Sequence, residues 1–372
     1  MKSPLYDWHV AADAKLADFG GWDMPIEYSK GISPDFPGGV LAEHLAVRER
    51  VGLFDVSHLG KMSVKGAGAR DFVNSILTND LAKISNGSAQ YNLLCNPQGG
   101  VIDDLIVYQI AEDDIFIIPN AANCADVVAV FAAKAPTTIE VKNLHESYGV
   151  LAIQGPLTHS VMTKLGLHLE LDYMAFTKLR IPGHESLGEV IICRTGYTGE
   201  AGYELLPQWG AALDLWKILV AQVSAVGGRV CGLGSRDTLR TEMGYPLHGH
   251  ELSLDISPLQ ASAGWAVALD KVNFEGKNAL AAEKQVGVKR ISRPLLCSDR
   301  GIPRAGMSVL NSDGEVIGEV TSGTFSPTLK TGIALALINP EYKVGSEVTI
   351  DVRGRASTAT VVRLPFVESH VR

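Results

Sequence analysis

Tyr91-Asn92-Leu93-Leu94-Cys95-Asn96-Pro97-Gln98-Gly99-Gly100-Val101-Ile102-Asp103-Asp104-Leu105 reads as two strands joined by a Pro-x-Gly-Gly turn. Side chains alternate across a strand, so Asp103 and Asp104 are expected on opposite faces, one towards solvent. The other then points into the interior or a cleft, where a carboxylate is costly unless it is paired or functional. A turn carboxylate bonding backbone amides is the plainer account of the same spacing.

Outward from this hairpin the pattern alternates between helix and strand. Lys61–Lys65, Val101–Ile110 and Ile115–Pro119 read as strands, and Ala67–Leu77 and Val127–Ala135 as helices. Further upstream, Asp7–Lys15 and Leu41–Val51 have helical spacing, and the Gly/Pro-rich Ser33–Gly39 reads as a loop. Downstream, Tyr148–Ile153 begins a strand–turn–helix unit. Val190–Arg194 and Tyr203–Leu206 read as strands, and Ala211–Val226 as an amphipathic helix stopped at Gly227-Gly228. From about 285 short β-rich pieces recur between turns: Ser308–Leu310, Val316–Thr321, Gly332–Ile338, Val348–Val352 and Ala359–Leu364. That is the pattern of a small antiparallel barrel or sandwich. The fold class is α+β, and 372 residues call for two or three domains.

The net charge of −8 argues against a general nucleic-acid binder. No apolar run approaches the ~20 residues of a membrane span, and the N-terminal residues Met1–His9 have neither an apolar h-region nor Arg-rich transit character. A cytoplasmic bacterial protein is the expectation. The five cysteines, Cys95, Cys124, Cys193, Cys231 and Cys297, are scattered without a C-x-x-C, so buried free thiols are expected. There is no G-x-G-x-x-G after a strand, no P-loop and no H-E-x-x-H. His248-Gly249-His250 is the nearest approach to a metal pair, and a polar loop near a cleft is the preferred reading.

Two further stretches carry chemistry. In Arg194-Thr195-Gly196-Tyr197-Thr198-Gly199-Glu200-Ala201-Gly202-Tyr203-Glu204-Leu205 the glycines permit close backbone approach, and Tyr197 and Tyr203 offer flat faces. Glu204 suits a heterocycle with adjacent N–H donors; a tight hairpin with exposed tyrosines fits equally well. In Gly232–Leu247, Gly234 or Ser235 is expected to cap a helix to Met243, with Arg236 in its first turn against the helix dipole. A salt bridge to Asp237 or Glu242 is the simpler account of Arg236; a ligand is the other.

These three motifs, in this order, resemble the T protein of the glycine cleavage system. The resemblance extends through Phe19–Pro25, Leu41–His44 with Val47-Arg48, Gly52–His58, Ser257–Ala261, Gly264–Val267, Gly276-Lys277, Arg300–Arg304 and Val320–Leu329, nearly the whole chain. Departures are the loop Ser33–Gly39, Leu59 in place of methionine, and the tail after Pro365-Phe366.

The resemblance implies a three-domain cloverleaf around a central folate cavity with a C-terminal antiparallel β-barrel. Its domains would be residues 1–50 with 141–250, residues 51–140, and residues 251–372. It implies an aminomethyltransferase that takes the aminomethyl group from the lipoyl arm of H protein. The products are ammonia and, with tetrahydrofolate as co-substrate, 5,10-methylenetetrahydrofolate; no metal, membrane or nucleic acid is involved. It carries the catalytic aspartate to Asp104 and folate contacts to Tyr91, Tyr108, Asn120, Tyr197, Glu204 and Arg236. The tail Val367–Arg372 does not match, and no folate role carries over to His370 or Arg372. A folate-binding relative in iron–sulfur protein maturation would need a Lys-Gly-Cys-Tyr-x-Gly-Gln-Glu signature, which the chain lacks. A stand-alone folate-dependent demethylase stays open at this point.

Overall fold

The computed structural model describes residues 1–29 and 38–372. Most of the expected loop Ser33–Gly39 lies outside the described residues; Gly39, at its end, precedes the helix Val40–Glu49.

A five-stranded antiparallel sheet runs in the order Ser88–Cys95, Val101–Ala111, Asp114–Ile118, Met62–Lys65, Glu140–Asn143. The first pair is the hairpin expected from the sequence, closing at Cys95↔Val101 with Gly99 at φ 88° in its turn. Helices Ala69–Ile76 and Cys124–Lys134 cover one face through Val73, Ile76, Val127 and Phe131.

A six-stranded mixed sheet runs Phe176–Arg180, Glu189–Cys193, Gly202–Leu206, Leu151–Gln154, Gly52–Asp55, Arg229–Cys231, the last pair parallel. Helix Ala212–Ala225 lays Leu215, Trp216, Leu219 and Val223, spaced three to four residues apart, on this sheet and ends before Gly227 at φ 71°. Sheet membership changes between Asp55 and Met62 and again between Asn143 and Leu151. Gly52–Asp55 thus belongs with the larger sheet and Glu140–Asn143 with the smaller.

One core joins the two sheets: Ala89, Tyr108, Phe116 and Ile118 of the smaller meet Phe54, Val150, Ala152 and Leu206 of the larger. Ile291–Cys297, Ser308–Leu310, Val316–Ser326, Thr331–Ile338, Glu347–Asp351 and Ala356–Val361 close the expected antiparallel barrel, filled by Leu295, Val309, Ala334, Ile350 and Val361. It is tied to the rest by Arg240, whose guanidinium bonds Ser322 at 2.8 Å and the buried Glu251 carboxylate at 3.0 Å.

At the N-terminus the helix stops early: Tyr6–Ala11 is helical, but Lys15–Phe19 pairs as a strand with Trp22–Glu27. Asp13, at φ 56°, turns the chain out of the helix.

Candidate active site

Strand Val101–Ala111 has two unlike faces. Leu105 and Val107 pack beneath the helices, whereas Asp104, Ile106 and Tyr108 line a cavity of about 410 Å³ between the two sheets. Asp103 and Asp104 point apart as expected, but neither is a solvent-facing carboxylate. Asp103 is fully buried, because its face is roofed by the segment leading into helix Cys124–Lys134. The backbone N–H and side-chain amide of Asn120 donate to its two oxygens, each at 2.9 Å, and the Asn123 amide adds a third bond at 2.7 Å. The expectation of one exposed carboxylate is corrected accordingly.

Asp104 accepts from Tyr91 Oη at 3.1 Å and from Asn120 Nδ2 at 2.8 Å. Burial raises its pKa, opposed by the charge of His248 and by these two donors. Burial and then the neighbouring Asp104 push Asp103 up to about 7. The pair is therefore more basic than solvated carboxylates, and Asp104 alone of the two faces the cavity.

Tyr91, Tyr108, Asn120, Tyr197, Glu204 and Arg236, which the sequence separates by up to 145 positions, line the same cavity as Asp104. Tyr91 also stacks at 5.3 Å on Trp265. Glu204 holds the Thr195 hydroxyl, which in turn lies 3.4 Å from Tyr108 Oη. Burial raises the Glu204 pKa, with the Thr195 bond and the charge of Arg236 opposing it. Tyr197 donates to the Pro246 carbonyl and carries the Arg236 guanidinium 4.3 Å above its ring.

The Asp237 and Glu242 salt bridges suggested for Arg236 belong to other arginines: Arg240 takes Asp237 and Arg48 takes Glu242, each at 2.8 Å. Among the described residues no carboxylate lies within ion-pair distance of Arg236, so its donors remain available at the cavity wall. The helix Leu233–Met243 starts from Gly232, not from a capping side chain. The Gly232 N–H goes instead to the Glu43 carboxylate, at 2.9 Å. A Cβ on Gly232 would sit 2.3 Å from the Ile26 backbone, so close packing demands glycine there.

Tyr203, a possible flat face for a ligand by its motif, is instead buried in the core beneath Arg194. His248 and His250 do not converge: His248 bonds Asn123 and the Val101 carbonyl, whereas His250 bonds the Thr321 carbonyl. Among the described residues no group of His, Cys, Asp and Glu is arranged to hold a metal. The five cysteines are free and buried, and burial pushes the Cys95 thiol up to about 12, far from a reactive thiolate.

Tyr173, Thr195, Tyr245 and Trp265 also line the cavity. Thr195, Tyr245 and Trp265 lie in stretches singled out in the sequence, although no role is read for any of the three there. Tyr173 arrives from an irregular stretch with no pattern of its own. The divergent tail folds back beside it: the His370 N–H donates to the Gly199 carbonyl at 2.7 Å, its ring lies 3.0 Å from Glu200, and Arg372 sits 5.9 Å over the Tyr173 ring.

The family model described as the GCVT N-terminal domain matches residues 5–271, and that of the glycine cleavage T-protein C-terminal barrel domain matches residues 293–368. An aminomethyltransferase of Parafrankia sp. (strain EAN1pec) is 55% identical over 371 residues, covering 100% of this chain and 99% of the relative. One of Mycobacterium tuberculosis (strain ATCC 25618 / H37Rv) is 54% identical over 374 residues, covering 100% and 98%. The crystal structure of glycine cleavage system aminomethyltransferase T from Bartonella henselae superposes with a TM-score of 0.89 at 34% identity, over 100% of this chain and 99% of that one.

Proposed function

The chain belongs to the glycine cleavage T-protein family and is an aminomethyltransferase of that system, and from that premise we propose how its cavity performs the transfer. The co-substrate is tetrahydrofolate, and the donor is the aminomethyl group on the lipoyl arm of H protein. The observation that carries this reading is the cavity wall. It sets a carboxylate with hydroxyl and amide donors (Asp104) and a second carboxylate beside a cation that has no ion-pair partner among the described residues (Glu204 with Arg236) around one space lined by tyrosines.

Its volume of about 410 Å³ is within the usual range for small-molecule sites. Glu204 takes the adjacent N–H donors of the pterin as a charge-assisted pair. Arg236, free of any ion pair among the described residues, donates to the ligand's oxygen side. Tyr91, Tyr108 and Tyr197 supply flat walls, and Trp265 extends the Tyr91 face towards the surface, where it is 69% exposed.

Asp104 is the catalytic carboxylate. As ammonia leaves, the transferred carbon, still bonded to the lipoyl sulfur, becomes a thionium-like cation, which an anion held in place by Tyr91 and Asn120 stabilises without having to reorganise. The carbon–sulfur bond then breaks as the folate nitrogens take the carbon, and the sulfur leaves as the dihydrolipoyl thiol. Its raised pKa also fits it to accept the proton that the attacking folate nitrogen gives up. Asp103 touches neither ligand nor cavity; it positions Asn120 and, through it, Asp104.

The test is release of ammonia from aminomethylated H protein with and without tetrahydrofolate. Release that depends on folate and yields methylenetetrahydrofolate is expected. Folate-independent release, or no turnover of the loaded H protein, would refute the reading.

A further inference from the structure

A second chamber, about 210 Å³ in volume, adjoins the first: Leu59, Asn120, Arg236 and Leu247 line both. The rest of its polar wall is His58, His248, His250 and Asn123, and among the described residues no carboxylate lines it. His248 and His250 are engaged by backbone carbonyls. His58 is not. It is 1% exposed, its ring stands edge-on to Phe19 at 5.3 Å, and among the described residues neither ring nitrogen has a hydrogen-bond partner. An imidazole cut off from both solvent and partner is costly. His58 closes the segment Gly52–His58, to which the sequence resemblance gave no function.

The chamber's chemistry narrows what it can take. A water molecule needs only ~10–15 Å³ of such space, so the chamber readily takes molecules of that size. With a guanidinium and no carboxylate in the wall, a cation is disfavoured. Burial, with Arg236 as the next cause, holds the His58 pKa down to about 3, so the imidazole stays neutral and keeps an acceptor nitrogen. The occupant is therefore small, neutral and a hydrogen-bond donor.

Among the reactants and products of the proposed transfer, ammonia is small, neutral and a hydrogen-bond donor, and the pterin is assigned to the first cavity. We propose that this chamber receives the ammonia released beside Asp104, and that His58 accepts a hydrogen bond from it. The bond that breaks is carbon–nitrogen. Its electron pair leaves with the nitrogen of the protonated amine, so ammonia departs neutral and the positive charge passes to the carbon facing Asp104. Ammonia is then drawn away from that carbon on the side of Asn120, leaving the first cavity to the folate nitrogen that attacks. This inference rests on the proposed function.

By microscopic reversibility the same chamber supplies ammonia when the reaction runs backwards, from methylenetetrahydrofolate, dihydrolipoyl H protein and an ammonium salt. The experiment measures that reverse reaction at fixed pH for the wild type, His58→Leu, His58→Gln and the chamber-filling Ala121→Leu, with melting temperatures to confirm folding. Loss of one hydrogen bond to the occupant predicts a KM for ammonium raised about tenfold in His58→Leu. The KM values for the folate and for H protein should move less than about twofold. His58→Gln, which keeps an acceptor, should recover part of the loss, and Ala121→Leu should raise the ammonium KM. A wild type without reverse activity would instead sink the proposed function. An unchanged ammonium KM in folded His58→Leu and Ala121→Leu overturns the ammonia assignment. So does a rise confined to the KM for H protein, which would make the chamber the path of the lipoyl arm.

Discussion

The side-chain nitrogen of Asn120 lies 2.8 Å from an Asp104 carboxylate oxygen while also facing Asp103 at 2.9 Å. One amide thus ties together two carboxylates that the strand sends to opposite faces. It faces the Asp104 carbonyl as well, at 2.9 Å, so its two hydrogens are shared among oxygens that compete for them. Anything that alters one carboxylate is felt by the other.

Replacing Asp104 with asparagine keeps its size and removes the anion. Turnover should fall by ~10²–10⁴ while folate affinity changes little, since the ground state carries little of the developing charge. Asp103→Asn would confront the Asn120 and Asn123 amide donors with another amide, so it should cost stability and a smaller part of the turnover. Methylenetetrahydrofolate formation and melting temperature for both variants decide the matter. Near-native turnover in Asp104→Asn, or a larger turnover loss in Asp103→Asn, would displace Asp104 from its role.

The pH profile should carry the mark of the same pair. Burial raises both carboxyls, Asp103 to about 7, so protonation that silences Asp104 sets in nearer neutrality than the ordinary carboxylate range near 4. Turnover should therefore fall on acidification at a pH above the ordinary carboxylate range. The check is kcat against pH in the wild type and in Asp103→Asn, where losing the neighbouring charge should move the acid limb lower. An acid limb near 4 in the wild type would contradict this.

Glu204→Gln should weaken folate binding by ~1.5–3 kcal/mol, the worth of a hydrogen bond to a charged partner. Its melting temperature without ligand should fall little, because the Thr195 hydroxyl retains an amide oxygen to donate to. Calorimetric titration with reduced folate is the measurement. Unchanged affinity in a folded protein would remove Glu204 from the pterin site.

Saturating tetrahydrofolate should itself stabilise the protein. A ligand at 100 times its Kd that binds only the folded state adds ~2.7 kcal/mol. A melting temperature that does not rise with reduced folate would count against the cavity as its site.

Acid stability should depend on Glu242. The buried Glu242 bonds His44, Arg48 and Ser326, and despite burial these partners hold its pKa down to about 2. Its folded pKa lies below the unfolded one, so its contribution is present above the unfolded value near 4.5 and is lost as pH falls to about 2. Glu242→Gln should lower the melting temperature at pH 7, with the gap to wild type closing as the pH approaches 2. A gap independent of pH would mean that the charge contributes nothing.

Much of this protein is legible locally. Apolar spacing in Ala212–Ala225, the Pro97–Gly100 turn between its strands, and the short β-pieces from Ser308 onward each reflect forces acting within a few residues of chain, and each starts within about three residues of the expected position. The barrel's first strand, Ile291–Cys297, carried no such reading. Alternation along Val101–Ala111 likewise put Asp104 and Tyr108 on one face. Alternation says only that two faces differ, not what covers each. The burial of Asp103 was decided by Asn120 and Asn123 arriving from another element. Arg236 has no ion pair among the described residues because Arg240 and Arg48, fixed by distant packing, hold the carboxylates nearest it in sequence. The isolation of His58 beside a second chamber exists only where the loop Asn120–Asn123 meets the segment Leu247–His250. Such contacts join separate elements, some of them more than a hundred positions apart, and no local pattern encodes them. They follow from how the two sheets pack, which the whole buried core determines at once.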